Sequence, residues 1–119
     1  MIDHVELFTS DLAAATAFYQ GALAPLGYAL RFREPSHGFG TDPGRADFWL
    51  RAGTASTPPP HFAFFCATRA VVDAAHRAAL DAGGTDTGAP AVLAHIDPNY
   101  YAGFVRDPDG HHVEFVCRT

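Results

Sequence analysis

The sequence predicts an α+β fold made of two copies of a strand–helix–three-strand module, with residues 1–119 forming one domain. An internal repeat is the first observation that predicts it: the segment beginning at His4 aligns without a gap with the segment beginning at His61, and Gly27 then falls on Gly84. The second observation is the order within each copy, in which a short apolar strand, a helix-capping residue, an alanine-rich helix and a glycine stop follow one another. Three strand-like segments then complete each copy.

The boundaries of these elements follow from turn and capping residues. The linker-like segment Thr54–Pro60 divides module 1, about residues 1–54, from module 2, about residues 60–119. Ser10 or Asp11 caps the first predicted helix and Thr68 caps the second, so helices are expected over residues 11–24 and 69–82. Strands are expected to follow the helices at Tyr28–Arg33, His37–Thr41, Asp47–Arg51, Ala91–Ile96, Gly103–Asp107 and His112–Arg118.

Composition and charge exclude several classes of partner. Nearly half of the residues are hydrophobic (48%), which indicates a globular chain, and eight arginines without any lysine face thirteen acidic residues, for a net charge of −5. Because there is no basic run, no nucleic-acid partner is expected, and no apolar stretch is long enough to span a membrane. Cys66 and Cys117 lie in apolar strand-like segments, so they are expected to be buried, reduced thiols of a cytoplasmic protein.

Three strand residues suggest a metal site. Successive strand residues alternate between faces, and His4, His61 and Glu114 each occupy the face opposite an uninterrupted apolar face that suits packing under a helix. If the two modules are related by a pseudo-twofold axis, His4 and His61 become neighbours. Two imidazoles and one carboxylate suit a divalent Fe, Zn, Mn, Ni or Co ion and leave coordination positions open for substrate. For each residue taken alone, a solvated or surface position is the simpler interpretation.

The segments IDHVELFTSDLAAATAFYQGALAPLGY and FVRDPDGHHVEFVC resemble the vicinal oxygen chelate superfamily, which includes glyoxalase I, extradiol dioxygenases, fosfomycin-modifying enzymes and bleomycin-binding proteins. The resemblance covers residues 1–118. It implies two βαβββ modules that form a curved eight-stranded mixed sheet around a metal-binding cup, and a homodimer. By the same resemblance, the metal ligands of the family fall on His4, His61 and Glu114. We interpret Asp107-Pro108-Asp109-Gly110 as a tight turn without a chemical role.

Departures from glyoxalase I shape the functional prediction. Glyoxalase I typically has a fourth protein ligand on the last strand of the first module. When Gly44 is matched to Gly110, Phe48 takes the position equivalent to Glu114, and phenylalanine cannot bind a metal. Asp47 could act as this ligand only if the strand register shifted by one residue. A three-ligand site is more similar to extradiol dioxygenases and fosfomycin transferases. Extradiol enzymes also use a histidine and a tyrosine near the last strands, and the resemblance offers His95, Tyr100 and Tyr101 for these positions. His112 is the substitute if one of the three ligands is assigned wrongly.

The predicted function is therefore a metal-dependent enzyme, a lyase, isomerase or dioxygenase, that acts on a small oxygenated metabolite. In this prediction the metal activates two adjacent substrate oxygens, and Glu114, His95 and Tyr101 are the candidate catalytic residues. The alternative is a bleomycin-type protein that sequesters a drug without a catalytic metal. Fold and ligand set are shared by unlike chemistries, so substrate and reaction stay open at this point.

Overall fold

The computed structural model describes residues 1–119, and it confirms the α+β class and the two βαβββ modules. Module 1 consists of β1 (Val5–Thr9), α1 (Leu12–Leu23), β2 (Ala29–Phe32), β3 (His37–Gly40) and β4 (Phe48–Ala52). Module 2 consists of β5 (His61–Phe65), α2 (Arg69–Asp81), β6 (Thr85–Val92), β7 (Tyr101–Arg106) and β8 (His112–Cys117). A short 3-10 helix, Ala24–Leu26, follows α1.

Both helices begin at the capping residues that the sequence indicates. The side chain of Asp11 accepts a hydrogen bond from the backbone N–H of Ala14, and Thr68 does the same for Val71. Each bond satisfies one of the backbone donors that the first turn of a helix leaves free. Gly27, in the left-handed region at φ 85°, ends the 3-10 helix that follows α1.

The eight strands form two four-stranded sheets, with the order β1-β4-β3-β2 in module 1 and β5-β8-β7-β6 in module 2. In each sheet the first strand of the module pairs in parallel with the last strand, and the remaining pairs are antiparallel. Strands β1 and β5 therefore lie at sheet edges, each with one side unpaired within the chain. Backbone groups along such an edge are free to pair with another strand.

The prediction of a strand at Ala91–Ile96 is wrong. The first strand after α2 is Thr85–Val92, which begins six residues earlier, and its register with β7 shifts on either side of Gly88. In a sequence, glycine and proline usually indicate a turn. Because β6 lies at the edge of its sheet, it tolerates Pro90 and an irregular register.

One core joins the two modules. The helices α1 and α2 pack against each other, and a single cluster of 17 buried residues includes Phe18, Tyr19 and Phe48 of module 1 with Phe64 and Phe115 of module 2. The modules consequently share their hydrophobic interior. The other face of each sheet does not pack on the helices, and in module 2 it carries the candidate site residues His61 and Glu114.

No helix of the structure combines the length and the apolar character needed to cross a membrane.

Candidate functional site

The pairing of β5 with β8 determines which side chains share a face in module 2. Ala63 lies opposite Glu114, and Phe104 of β7 lies opposite Glu114 on the other side. We call the surface turned away from α2 the cup face of module 2. It carries His61, Ala63, Phe65, Ala102, Phe104, His112, Glu114 and Val116.

Glu114 is the buried carboxylate of this face. Its Oε2 lies 2.9 Å from Nε2 of His61, and its Oε1 accepts a hydrogen bond from the hydroxyl of Tyr100. The hydrogen bond with Glu114, together with burial, raises the pKa of Tyr100, so the hydroxyl stays protonated and continues to donate. The guanidinium of Arg118 lies 4.9 Å from the centroid of the Tyr100 ring. Both carboxylate oxygens of Glu114 are thus held in defined directions.

His61 presents its imidazole at the open side of the same face. Its side chain is 54% exposed, whereas that of Glu114 is 6% exposed. The ring stacks on that of His112, with centroids 6.2 Å apart and planes 19° from parallel. An imidazole nitrogen beside a carboxylate oxygen, with the carboxylate held by a further hydrogen bond, is a donor set that fits a divalent transition ion or zinc. His61 and Glu114 therefore form two thirds of the predicted ligand set.

His4 is not part of this group within one chain. Its Nδ1 lies 2.8 Å from a carboxylate oxygen of Asp3, and its side chain is more than half exposed. Only one group of three metal-ligating residue types has ligand atoms that all lie within 4.8 Å of one another, and it does not contain His4, His61 or Glu114. Both histidines nevertheless line one cleft, which runs between the edge strands β1 and β5.

The corresponding face of module 1 carries different chemistry. Val5 pairs with Phe48 as Phe62 pairs with Val113, so Trp49 occupies the position that Glu114 has in module 2. Aligning Gly44 with Gly110 predicts Phe48 at this position instead of Trp49. That prediction is wrong by one residue, because the turns before β4 and β8 differ in length. Module 1 therefore offers a tryptophan where a fourth, carboxylate ligand would stand.

Trp49 and its neighbours form a packed surface. The Trp49 ring stacks on Phe32, with centroids 5.6 Å apart. Beside it, Glu6 accepts hydrogen bonds from Nε of Arg51 at 3.1 Å and from the hydroxyl of Ser36 at 3.3 Å. The carboxylate of Glu6 is thereby engaged with an arginine on the same face.

The structure does not bring His95 or Tyr101 to Glu114. The hydroxyl of Tyr101 donates a 2.6 Å hydrogen bond to Asp73 on α2, so its side chain lies on the helix side of the sheet. His95 is exposed in the turn between β6 and β7 and makes no side-chain hydrogen bond. Tyr100, the neighbouring candidate, is the tyrosine that contacts Glu114.

The one compact group of three potential metal ligands is Asp107, Asp109 and His111, in the turn between β7 and β8. Their polar atoms are occupied by protein partners. Oδ2 of Asp107 accepts hydrogen bonds from the Tyr19 hydroxyl and from His111 Nδ1, both at 2.6 Å, and Oδ1 accepts from the backbone N–H groups of residues 109 and 111. Asp109 accepts hydrogen bonds from the side chains of Thr9 and Ser10.

These contacts confirm the interpretation of Asp107–Gly110 as a tight turn, with Gly110 at φ 89°. They also show what the sequence did not reveal, that the turn of module 2 is attached to the start of α1 in module 1. The carboxylate oxygens of Asp107 and Asp109 and Nδ1 of His111 are engaged in protein hydrogen bonds, so the group stabilises the turn.

The chain matches the family model of the Glyoxalase/Bleomycin resistance protein/Dioxygenase superfamily over residues 1–115, and it belongs to that superfamily. The resemblance seen in the sequence is thus confirmed. No curated protein matches the chain at a significant level.

Solved structures share the fold. A glyoxalase/bleomycin resistance protein from Albidiferax ferrireducens is 21% identical, with 98% of each chain covered and a TM-score of 0.78. A glyoxalase/bleomycin resistance protein/dioxygenase family enzyme from Burkholderia phytofirmans is 22% identical over 99% of this chain and 98% of that chain, with a TM-score of 0.73. A lactoylglutathione lyase from Agrobacterium tumefaciens is 22% identical over 98% of this chain and 92% of that chain, with a TM-score of 0.69. At these identities the likeness establishes the fold alone.

Proposed function

We propose that the protein is a metal-dependent enzyme that acts on a small oxygenated metabolite, as a lyase, isomerase or dioxygenase. The observation that carries this proposal is the buried carboxylate of Glu114, which holds one oxygen beside His61 Nε2 and the other beside the Tyr100 hydroxyl. Its two partners, a neutral hydroxyl and an imidazole, bring no permanent charge to balance the buried anion. A divalent ion, of which Fe, Zn, Mn, Ni and Co are the candidates, would bring that charge.

The third ligand in this proposal is His4 of a second copy of the chain. Its Nδ1 is bound to Asp3 while Nε2 makes no hydrogen bond, which is the arrangement in which a carboxylate orients a metal-binding imidazole. Because His4 does not reach His61 and Glu114 in its own chain, a second chain must bring it there.

Exposed apolar residues on both modules support the pairing of two chains. Phe65 on β5 is 69% exposed and Phe8 on β1 is 43% exposed, and both strands have an unpaired edge. A homodimer in which β1 of one chain approaches β5 of the other would cover these side chains and would form an isologous interface.

The residues of the site suggest which group would perform each part of the reaction. A bound divalent ion supplies Lewis-acid polarisation of two neighbouring substrate oxygens. In this proposal Glu114 accepts or returns a proton at the substrate through Oε2, and the hydrogen bond from Tyr100 to Oε1 orients the carboxylate. The rings of Phe65 and Phe104 provide an apolar wall for the carbon skeleton. The catalytic roles predicted for His95 and Tyr101 stay predictions.

Metal analysis of the purified protein and three ligand variants tests this proposal. The wild type is expected to bind one divalent ion per chain, and Glu114→Gln, His61→Ala and His4→Ala are each expected to bind it at least ~10-fold more weakly. His95→Ala, in an exposed turn, is the control for metal content. A screen of catechols, methylglyoxal–thiol adducts and fosfomycin with the metal-loaded protein then identifies the reaction.

Mixed dimers test whether the site is shared. In a dimer of one His4→Ala chain and one Glu114→Gln chain, a shared arrangement leaves one intact site, so half of the wild-type metal content should return. If each site lies within one chain, both sites are damaged and no metal returns. A wild-type protein that binds no divalent ion would contradict the proposed enzyme itself.

The second candidate function is the sequestration of a drug-like molecule, as in bleomycin-type proteins. The separation of His4 from His61 and Glu114 within one chain, together with the exposed Phe8 and Phe65, favours it. In that case the protein would bind a planar apolar ligand with equal affinity before and after treatment with a chelator.

A further inference from the structure

The two cysteines of the chain lie beside each other at the ends of β5 and β8, on the helix side of the sheet. Cys66 follows the last residue of β5, and Cys117 is the last residue of β8. We propose that this pair is a redox-modification site, at which a small hydroperoxide converts the two thiols into a disulfide within one chain. The pair lies at the opposite end of β5 from His61, so this chemistry is separate from the metal chemistry proposed above.

The register of the strands brings the two cysteines opposite each other. Phe65 pairs with Val116, and the backbone N–H of Cys66 donates a 2.7 Å hydrogen bond to the carbonyl of Val116. The parallel pairing therefore continues past β5, and its next pair is Cys66 with Cys117. Neighbouring strands lie about 4.8 Å apart, which falls within the range of about 4.4–6.8 Å that disulfides span between Cα atoms.

The two side chains also share a face of the sheet. Phe64 pairs with Phe115, and their rings stack with centroids 6.2 Å apart. Two residues further along each strand, alternation turns Cys66 and Cys117 toward the same side, and all four residues belong to one buried cluster. Burial, and then the charge of the neighbouring Cys117, raises the pKa of Cys66 to about 11. This mutual influence is expected only of thiols that lie close together.

The two thiols differ in reactivity. Hydrogen bonding with Thr119, helped by the positive charge of Arg69, lowers the pKa of Cys117. Because the thiolate is the form that attacks an oxidant, Cys117 is the cysteine that reacts first. Cys66 remains a protonated thiol and is the partner that completes the disulfide.

A cavity gives a small oxidant a way to the pair. It has a volume of about 260 Å³, and Cys66 lines it together with Leu26, Phe65 and Val71. Each thiol is only 1% exposed, which keeps bulky reagents away. Hydrogen peroxide and small alkyl hydroperoxides are not much larger than water, so the cavity can admit them.

The reaction takes place in two steps. The Cys117 thiolate attacks one peroxide oxygen and the O–O bond breaks, which gives a sulfenic acid. The second oxygen leaves as hydroxide or alkoxide and takes up the proton that the Cys117 thiol had released. Cys66 Sγ then attacks Cys117 Sγ, the S–O bond breaks, and the proton of the Cys66 thiol leaves with the oxygen as water. Both cysteines are oxidised and one hydroperoxide is reduced.

Intact-mass spectrometry and thiol titration of the native full chain, before and after treatment with hydrogen peroxide, test the proposal. We expect the wild type to lose both free thiols and the mass of two hydrogen atoms, without forming a covalent dimer. Cys66→Ser should stop at the sulfenic acid of Cys117, which dimedone traps. Cys117→Ser should react at least ~10-fold more slowly than Cys66→Ser, because the thiol it retains has the higher pKa.

The double variant Cys66→Ser/Phe65→Cys is the matched control. It moves the thiol by one residue to the opposite, exposed face of the same strand, so the yield of the intramolecular disulfide should fall at least ~10-fold. Glu114→Gln should lose the metal and still form the disulfide, which separates this proposal from the proposed enzyme.

Three results would overturn the proposal. They are a wild type that keeps both thiols, a disulfide that forms only between two chains, and equal yields of the intramolecular disulfide in the wild type and the double variant. If a variant does not fold, the measurement on the wild type decides alone, since it requires no substitution.

Discussion

The two modules have the same order of elements and the same strand pairing, yet they present different side chains at equivalent positions. On strands β5 and β8 of module 2, Ala63 lies opposite Glu114, whereas on β1 and β4 of module 1, Glu6 lies opposite Trp49. The same backbone pairing accommodates both sets of side chains, because the core does not constrain the outward-facing residues. Module 1 thus has a histidine, His4, at the position of His61, and only module 2 has a carboxylate at the position that Trp49 occupies in module 1.

The turns that precede β4 and β8 show a second contrast. In module 2, Asp107 is almost completely buried and accepts hydrogen bonds from Tyr19, His111 and two backbone N–H groups. In module 1, the corresponding Asp42 is exposed and accepts one hydrogen bond, from the backbone of Gly44. One aspartate organises a buried network, and the other supports only its own turn.

Replacement of Asp107 by Ala is expected to have the largest effect on stability. It would remove the acceptor for four donors and leave Tyr19 and His111 buried without a partner, so the free energy of unfolding should fall by about 3–5 kcal/mol. Equilibrium unfolding in urea, followed by far-UV circular dichroism, gives this value.

Asp42→Ala is the matched control for that measurement. It loses one exposed hydrogen bond, and a decrease of about 0.5–1 kcal/mol is expected. Similar values for the two variants would mean that the two turns are equivalent and that the buried network contributes nothing special.

Asp109 provides a further test, because it connects the two modules. Its carboxylate accepts hydrogen bonds from Thr9 and Ser10 at the start of α1. Burial acts to raise the pKa of Asp109, but hydrogen bonds from Ser10 and Thr9 outweigh it and lower the pKa below the ordinary value of 3.8. Asp109→Asn should therefore reduce the free energy of unfolding by about 1–2 kcal/mol at neutral pH.

The pH dependence of this difference follows from the direction of the shift. A carboxyl group whose pKa is lower in the folded state stabilises the fold above its unfolded pKa, and this contribution is lost as the pH falls through the folded pKa. The gap between wild type and Asp109→Asn should accordingly narrow below about pH 4. A gap that stays constant from about pH 7 to pH 3 would show that the charge of Asp109 is not involved.

Much of the fold was predictable, because the repeat, the capping residues and the glycine stops are local signals. The helices begin after Asp11 and Thr68 as expected. Strand β6 was not predictable from the same signals, since Gly88 and Pro90 indicate a turn unless the strand is known to lie at a sheet edge.

The candidate site was predictable in part. Strand alternation placed His61 and Glu114 on one face. The same alternation puts residues 100, 102 and 104 on the face of Glu114, but the sequence prediction chose Tyr101 as the catalytic candidate, and Tyr100 is the tyrosine that contacts Glu114. The position of His4 relative to His61 and Glu114 depends on how the two sheets are arranged. That arrangement is set by helix packing and is not a property of any single strand.

The smallest expected effect concerns the cysteines, which occupy the ends of β5 and β8 where module 1 has Thr9 and Ala52. Cys66 and Cys117 are free thiols, each 1% exposed, and Cys66 N–H donates a 2.7 Å hydrogen bond to the carbonyl of Val116. Burial, with the neighbouring Cys117, raises the pKa of Cys66 to about 11, whereas hydrogen bonding with Thr119 lowers the pKa of Cys117.

Labelling with a bulky aromatic disulfide reagent should therefore be at least ~100-fold slower in the native protein than in denaturant. Because the thiolate is the reactive form, Cys66 should react more slowly than Cys117. The variants Cys66→Ser and Cys117→Ala report each thiol separately. Cys117→Ala should lower the free energy of unfolding by about 1 kcal/mol, because it removes one small buried group from the core. Rapid labelling of both thiols in the native state would show that the ends of β5 and β8 open readily, and that the edge of module 2 is less stable than its packing indicates.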